Sequence, residues 1–168
     1  SARRNLKRLE AVVTAPTMRR DGTVLSKPGY DGRSGLLLNL DDKAHIPNAP
    51  TSEQVQAALD KIMHPFVDFP LVGPNDWGVL LAALLTATVR PDLPTAPAVG
   101  FDAPTQGSGK TLLATCVSAL GTGEMPTVWP HTADKSDEEV RKRIFAALRS
   151  GTRALVWDNV VGFFDSAA

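Results

Sequence analysis

The residues with the clearest chemistry form a glycine-rich turn that leads into a helix. The turn reads Thr105-Gln106-Gly107-Ser108-Gly109-Lys110-Thr111 and follows the short apolar segment 98–101, which is expected to be a strand. Small residues let successive backbone N–H groups curl around a polyphosphate, and a helix N-terminus attracts negative charge. A lysine at the end of such a turn suits the β- and γ-phosphates, and the hydroxyl after it suits Mg²⁺. The pattern predicts a phosphate-binding loop in which all seven residues contact nucleotide.

One position of the loop departs from the general pattern G-x-x-x-x-G-K-[ST]. Pro104 stands six residues before Lys110, where the pattern has glycine. The alternative interpretation is a strand-to-helix turn that binds no ligand. The apolar residues before the turn, and Leu112-Leu113-Ala114 after it, supply the strand and the helix that the motif requires. This context favours the phosphate-binding interpretation.

A second group with chemical potential ends an apolar segment later in the chain. Residues 153–159 read Arg-Ala-Leu-Val-Trp-Asp-Asn, which fits a Walker B strand. An aspartate at the carboxyl end of a buried parallel strand lies beside a phosphate loop and can hold Mg²⁺ or its waters. We therefore predict that Thr111 and Asp158 hold the metal and that Lys110, Asp158 and Asn159 are the catalytic residues. Asn159 can orient a water but cannot accept its proton, which favours slow turnover.

Composition bounds the class of protein. The chain has 168 residues, 43% of them hydrophobic and 21% charged, with a formal net charge of zero, which is typical of one globular domain with a real core. The local excess of arginine and lysine in residues 1–20 can contact a DNA backbone or be an ordinary solvated segment. Cys116 is the single cysteine, so an internal disulfide is excluded and a reducing, cytoplasmic compartment is indicated. The uncharged run 77–89 is too short to span a bilayer, so no membrane partner is expected.

The elements that must position the loop begin with a β-rich part, residues 1–46. Short β-prone pieces at 11–14, 23–25 and 36–38 are separated by glycine-containing turn signals. Such spacing is typical of hairpins. We predict a small antiparallel β appendage.

Residues 51–91 are predicted to be a helical lead-in to the loop. Thr51, with Gln54 three residues later, forms a capping box that starts a first helix, and Pro65 stops it. Asn75-Asp76 can cap a second helix, whose apolar side chains face nearly all directions. That distribution predicts burial on more than one side.

Two further helices are predicted after the start of the loop. The helix that begins at Thr111 is expected to end at Gly121, a left-handed cap, and to place Cys116 in the core. Ser136 with Glu139 is a second capping box. Glutamates four residues before a lysine and an arginine mark a solvated face on that helix. Its apolar face consists of Val140, Ile144, Phe145 and Leu148.

The sequence resembles the helicase-like ATPases of phage, prophage and plasmid primase–helicase proteins, which belong to the AAA+ and superfamily 3 group. The resemblance covers most of the chain, and the loop with Ala103-Pro104-Thr105 at its entrance is similar to that family's own form. The segments that carry it are 15–17, 21–23, 28–31, 84–87, 89–91, 93–97, 103–111 and 154–159.

The resemblance implies an α/β fold: a partial P-loop NTPase sheet of parallel strands flanked by helices. Residues 1–46 would be its β appendage, residues 47–168 a truncated core and residues 96–168 the nucleotide-binding part. It also implies ATP and Mg²⁺ as cofactors and DNA as a partner of the full-length parent. That parent would assemble into a homo-oligomeric ring and act as a motor in replication of a mobile element.

Such motors have further parts. They place another strand, with a polar sensor residue, between the loop strand and the Walker B strand, followed by an arginine finger and a small helical lid. The chain stops at Ala168 before any of these, so we expect a fragment that binds nucleotide but hydrolyses it poorly. The segments near Val99 and Val156 are then either separated by a gap or forced to pair directly. Robust steady-state ATPase activity of residues 1–168, abolished by Lys110→Ala, would contradict this expectation.

Two other functions stay open. A small-molecule kinase-like transferase shares the loop and needs an arginine-bearing lid, for which Arg141, Arg143 and Arg149 are the candidates. A non-catalytic docking module would keep the fold with the loop empty. Phosphoryl transfer in a mixture of nucleotides, compared with stimulation by single-stranded DNA, separates the first alternative from a motor. Calorimetry with Mg-ATP separates the second.

Overall fold

The computed structural model describes residues 6–41, 45–90, 93–131, 137–150 and 152–160. Over these residues the chain is mixed α/β, with four α-helices and three small sheets, which confirms the predicted class at this coarse level. In chain order the elements are β1 (Ala11–Val13), β2 (Thr17–Met18), β3 (Val24–Leu25), β4 (Gly29–Tyr30), β5 (Leu36–Leu38), α1 (Ser52–Met63), a 3-10 helix (His64–Phe66), α2 (Pro74–Val89), α3 (Lys110–Thr122), β6 (Thr127–Pro130), α4 (Asp137–Arg149) and β7 (Leu155–Asp158).

The β-rich part contains two small sheets. In the first, β5 lies between β1 and β4, and β2 with β3 forms the second as an antiparallel pair. The prediction of an antiparallel unit is wrong for β1 and β5, which run parallel, whereas β4 and β5 are antiparallel. The long connection explains this: the β2–β3 pair and β4 fit between β1 and β5, so the chain regains its first direction. The buried side chains of this unit are Val13, Leu25, Leu36 and Leu38.

An ion pair fixes the turns of the β-rich part. The guanidinium of Arg19 binds the Asp31 carboxylate with two bonds, Nε to Oδ2 at 3.0 Å and Nη2 to Oδ1 at 3.1 Å. The side chains are 16% and 13% exposed. Ser34 adds hydrogen bonds to Oδ2 from its hydroxyl and its backbone N–H. Arg19, one of the residues that gives 1–20 its basic character, is therefore part of the internal structure of this unit.

Replacing Asp31 with asparagine is expected to lower stability by about 1–3 kcal/mol at neutral pH, because the charged hydrogen bonds to Arg19 are lost. The bonds from Arg19, with those from Ser34, lower the pKa of Asp31 from 3.8 to about 2. A lowered pKa gives stability that is present above the unfolded-state value and is lost as the pH falls towards the folded-state value. The melting temperature of the wild type should fall between pH 4 and pH 2, and that of Asp31→Asn should fall less. Asp68→Asn, an exposed carboxylate, is the control, and identical pH profiles for wild type and Asp31→Asn would contradict the account.

The main core lies between α2, α3 and the 3-10 helix. Half-buried apolar side chains, including that of Cys116, pack against its buried side chains. The predicted core position of the cysteine is therefore confirmed. The fully or largely buried members are Phe66, Leu80, Ala83, Leu84, Leu113 and Val117. The apolar stripes of the two helices are thus used mainly against each other.

The end of α3 differs from the prediction. Gly121 lies inside the helix, where a β-carbon would come within 2.2 Å of the Ala87 Cβ on α2. The left-handed cap is Gly123, with φ of 77°, whose N–H donates to the Ala119 carbonyl. The prediction of Gly121 as the cap is therefore wrong, because close contact with α2 is what requires glycine there.

Helix α2 also differs from the prediction at two points. Its N-cap is Gly73, and Asp76 acts from the first turn by accepting hydrogen bonds from the N–H groups of Val72 and Gly73. Val79 and Leu85 are 54% and 52% exposed. The predicted burial on more than one side therefore fails for the side that carries Val79 and Leu85, because no described element covers it.

The remaining helices agree with their local signals where these are described. Thr51 and Gln54 form the predicted capping box of α1, and Pro65 lies in the 3-10 helix that follows. On α4, Glu138 and Glu139 pair with Lys142 and Arg143, four residues on. Ser136 lies outside the described residues. The apolar face of α4 is only partly covered there, with Phe145 and Leu148 at 66% and 62% exposure.

The β-rich part packs on the ends of α2 and α3 that lie away from the loop. The buried Thr17 hydroxyl donates to the Thr88 carbonyl at 2.9 Å, and the Thr14 hydroxyl donates to the Thr122 carbonyl at 3.2 Å. These bonds satisfy carbonyls of the last helical turns, which have no partner within the helix.

Across the described part of the chain, no helix has the length and apolar character needed to cross a membrane.

Candidate functional site

The glycine-rich turn is built around two residues with left-handed backbone. Gly107 and Gly109 have φ of 78° and 85°, a region that side chains with a β-carbon avoid. Gly109 is the N-cap of α3, and its carbonyl accepts from the N–H of Leu113 at 2.8 Å. The first N–H groups of α3 therefore point out of the helix end towards the turn, without partners in the helix. This arrangement gives the turn the geometry of an anion site.

The carboxylate of Asp158 lies at this helix end. The Thr111 hydroxyl donates to Asp158 Oδ1 at 2.7 Å, across 47 residues of sequence. The Asn159 N–H donates to the same oxygen at 3.0 Å. The two residues that the sequence assigned to a metal are thus brought into direct contact.

The pair offers oxygen donors of the kind that Mg²⁺ prefers. A hydroxyl and a carboxylate at 2.7 Å are close enough to act on one ion or on its coordinated waters, and Mg²⁺ takes its other ligands from water and phosphate. No group of three or more His, Cys, Asp or Glu side chains suited to a metal occurs among the described residues. The donor set is therefore these two oxygens, and an ion held here would take its remaining ligands from water or from a bound molecule.

Lys110 reaches back across the turn. Its Nζ donates to the Thr105 carbonyl at 3.3 Å, and this bond is exposed. Thr105, Gln106 and Gly107 line the open rim of the turn and are themselves exposed. The ammonium is therefore held above the turn by a weak bond that a phosphate oxygen can replace.

Ser108 is the unusual residue of the turn. Its hydroxyl oxygen is buried and has no hydrogen-bond partner in the part of the chain that the structure describes. Buried polar atoms nearly always have partners. The orphaned hydroxyl is consistent with a turn that rearranges or acquires a partner when a ligand binds.

Strand pairing positions Asp158. Strands β6 and β7 run parallel, with Pro130 opposite Asp158. The rings of Trp129 and Trp157 pack edge to face, with their centroids 5.3 Å apart. The His131 N–H donates to the Asp158 carbonyl at 2.7 Å. This register places His131 at the same sheet edge as Asp158, a proximity that the sequence did not predict because register is not a local property.

The apolar segment before the turn is not a strand. Residues 95–103 have no strand assignment, and β7 pairs with β6. The predicted strand at 98–101 is therefore wrong, and direct pairing with β7, one of the two expected arrangements, does not occur, since the described partner of β7 is β6. Val99 and Phe101 instead pack against the main core. An apolar segment needs a neighbouring strand to complete its hydrogen bonds, and among the described residues none is available to this one.

Asn159 has an unusual backbone. Its φ of 56° is the single positive value for a residue other than glycine in the described chain. Asparagine tolerates this left-handed conformation better than most residues. The chain therefore turns sharply straight after Asp158 and leaves Asn159 exposed at the edge of the site.

A second polar region lies at the far end of α3. The Arg153 guanidinium donates to the Thr122 carbonyl at 2.7 Å, beside a cavity of about 130 Å³. Burial lowers the pKa of Arg153, and nearby Glu124 opposes that effect. Because this arginine joins the end of α3 to the start of β7, its role is to hold the element that carries Asp158.

Comparison with known proteins adds no family to these observations. No protein-family model, no curated protein and no solved structure matches the chain.

Proposed function

We propose that the chain binds ATP together with Mg²⁺ through a P-loop formed by residues 105–111, with Asp158 as its acidic partner. The observation that carries the proposal is the hydrogen bond between Thr111 and Asp158 at 2.7 Å. A glycine-rich turn alone is weak evidence for nucleotide binding, and an acidic residue after an apolar strand is also weak evidence when taken alone. Their contact at one helix N-terminus is what a nucleotide-bound Mg²⁺ requires.

Each loop residue has a role in this proposal. The N–H groups of the turn and of the first turn of α3 bind phosphate oxygens. Lys110 leaves the Thr105 carbonyl and neutralises the β- and γ-phosphates, and the hydroxyl of Thr111 with the carboxylate of Asp158 holds Mg²⁺ or its waters. When bound, Mg²⁺ would neutralise part of the negative charge of the phosphates.

We further propose that this site turns over slowly. Asn159 follows Asp158 and offers an amide, which orients a water without accepting its proton. Phosphoryl transfer depends mainly on positioning and charge, so hydrolysis is retained at a low rate.

The biological setting that we propose is an ATP-driven motor on DNA, part of a ring-forming helicase in mobile-element replication. The support is the resemblance of segments such as 103–111 and 154–159 to helicase-like ATPases, together with the parallel pairing of β6 and β7, which suits a P-loop NTPase sheet. A cytoplasmic location accords with the single free cysteine, Cys116.

Replacing Asp158 with asparagine tests the proposal. The amide oxygen can still accept from Thr111, whereas the negative charge at the metal is lost. We expect the affinity for ATP in the presence of Mg²⁺ to fall by about tenfold or more, and the affinity in EDTA to stay the same or rise. A fluorescent ATP analogue titrated with and without Mg²⁺ measures both.

The matched control for Asp158→Asn is Asp68→Asn, which removes an exposed carboxylate from the segment before α2. It should bind Mg-ATP like the wild type. Equal Mg-ATP affinity for Asp158→Asn and wild type would exclude Asp158 as the metal partner.

A further inference from the structure

Phe69 touches the phosphate loop from a different part of the chain. Its Cε1 atom lies 3.2 Å from the position that a β-carbon on Gly109 would occupy. The ring is half-buried and packs against the main core. A rigid aromatic side chain thus lies directly against the N-cap of α3.

The backbone of Phe69 is held on both sides. Its N–H donates to the Phe66 carbonyl at 3.0 Å, and its carbonyl accepts from the Leu71 N–H at 2.7 Å. Its ring also meets the ring of Phe66, with centroids 6.2 Å apart, and Phe66 is fully buried in the core. The position of the Phe69 ring is therefore fixed by the core and not by the loop.

The rim of the loop has few of the described contacts, in contrast to its end, where Thr111 binds Asp158. Its rim residues Thr105, Gln106 and Gly107 are exposed, and the segment 98–101 before it is not in a sheet. Lys110 contributes one exposed bond at 3.3 Å across the turn. A loop of this kind samples many conformations unless a packed group restricts it.

We infer that Phe69 is a positioning residue for the phosphate loop: its ring holds Gly109 so that the N–H groups of the turn are aligned before polyphosphate binds. The inference rests on the proposed function. It states that the Phe69 ring favours binding of the phosphates and does not contact the base. An aligned loop loses less conformational freedom on binding, so affinity gained in this way is common to every polyphosphate ligand.

The test compares wild type with Phe69→Ala and Phe69→Leu in the whole chain. Affinities are measured for two probes, Mg-ATP and Mg-tripolyphosphate. For Phe69→Ala we expect both affinities to fall by the same factor, about tenfold or more, and Phe69→Leu, which keeps an apolar group against Gly109, should recover most of the loss. Phe145→Ala is the matched control, because that ring is 66% exposed on α4.

Loop order is measured separately by amide hydrogen exchange without ligand. In Phe69→Ala the amides of 105–110 should exchange faster by about tenfold, with the amides of α2 unchanged. A loss of affinity for Mg-ATP alone would mean that the ring stacks on the base, and unchanged loop exchange would mean that the loop is ordered without it; either result overturns the inference.

Failure of the proposed function gives a different result. A wild-type chain that binds neither Mg-ATP nor Mg-tripolyphosphate refutes nucleotide binding, and the exchange experiment still decides whether Phe69 orders the loop. If Phe69→Ala does not fold, as judged by its circular dichroism, Phe69→Leu carries the test: it must show a smaller loss of the same kind for both probes, and a loss for Mg-ATP alone overturns the inference.

Discussion

Replacing Gly121 with alanine is expected to lower the free energy of unfolding by about 2 kcal/mol, because the new methyl group overlaps α2. Its carbon would lie 2.2 Å from the Ala87 Cβ and 3.4 Å from the Ala87 Cα. Neither of these atoms is on a side chain that can rotate away, so the two helices must separate. The better helix propensity of alanine offsets at most about 1 kcal/mol. Urea unfolding followed by circular dichroism measures the difference.

Two further variants isolate the steric cause. Gly78→Ala is the matched control, since Gly78 is inside α2 with no atom of another element within 4 Å of the position of a β-carbon, and it should be neutral or slightly stabilising. Ala87→Gly combined with Gly121→Ala moves the methyl group from one helix to the other and should restore most of the loss. If Gly121→Ala is as stable as Gly78→Ala, the close contact between α2 and α3 is not a constraint.

Replacing Lys110 with alanine is expected to weaken Mg-ATP binding by about 10–100-fold, the equivalent of one charge-assisted hydrogen bond. Among the described residues, Lys110 makes one hydrogen bond, an exposed bond of 3.3 Å to the Thr105 carbonyl. The melting temperature should therefore change little while the affinity falls. Equilibrium titration with a fluorescent ATP analogue, together with a thermal melt, separates the two effects.

Lys61→Ala provides the comparison for Lys110→Ala, because Lys61 is an exposed lysine on α1. It removes the same charge from the chain and should leave affinity unchanged. Lys110→Arg keeps a charge in the turn with a different shape, and we expect an intermediate affinity. Mg-ATP affinity in Lys110→Ala equal to that of the wild type would mean that this lysine does not contact phosphate.

Local signals predicted the elements that depend on a few neighbouring residues. The capping box joins Thr51 to Gln54, three positions later, so it can be predicted from these two residues alone. The strand that ends at Asp158 and the helix that starts after Gly109 were also predicted from short motifs. In each case the signal and the structure that it specifies occupy the same stretch of chain.

Contacts between distant segments were not predictable in the same way. Gly121 was predicted as the cap of α3, whereas Gly123 is the cap and Gly121 contacts Ala87 on another helix. The parallel pairing of β1 with β5 depends on how the intervening hairpin folds back. The segment 98–101 has strand-like composition, but a strand also requires a partner, and composition does not reveal one.

The residues of the candidate site also fall into two groups, those predicted from local motifs and those placed by contacts between distant segments. Motif logic placed Thr111 beside Asp158, and the distance of 2.7 Å between their oxygens agrees with that placement. Strand register places the backbone of His131 next to that of Asp158, and side-chain packing places the ring of Phe69 against Gly109. Neither residue has a spacing relative to the loop that marks it in the sequence.

The most direct measurement of the central claim is a calorimetric titration of the wild-type chain with ATP, in the presence and in the absence of Mg²⁺. The account predicts saturable binding with a Kd below about 1 mM and weaker binding when Mg²⁺ is removed. Absence of binding heat at millimolar Mg-ATP, with no rise in melting temperature at the same concentration, would contradict it and leave the loop as a turn that binds no nucleotide.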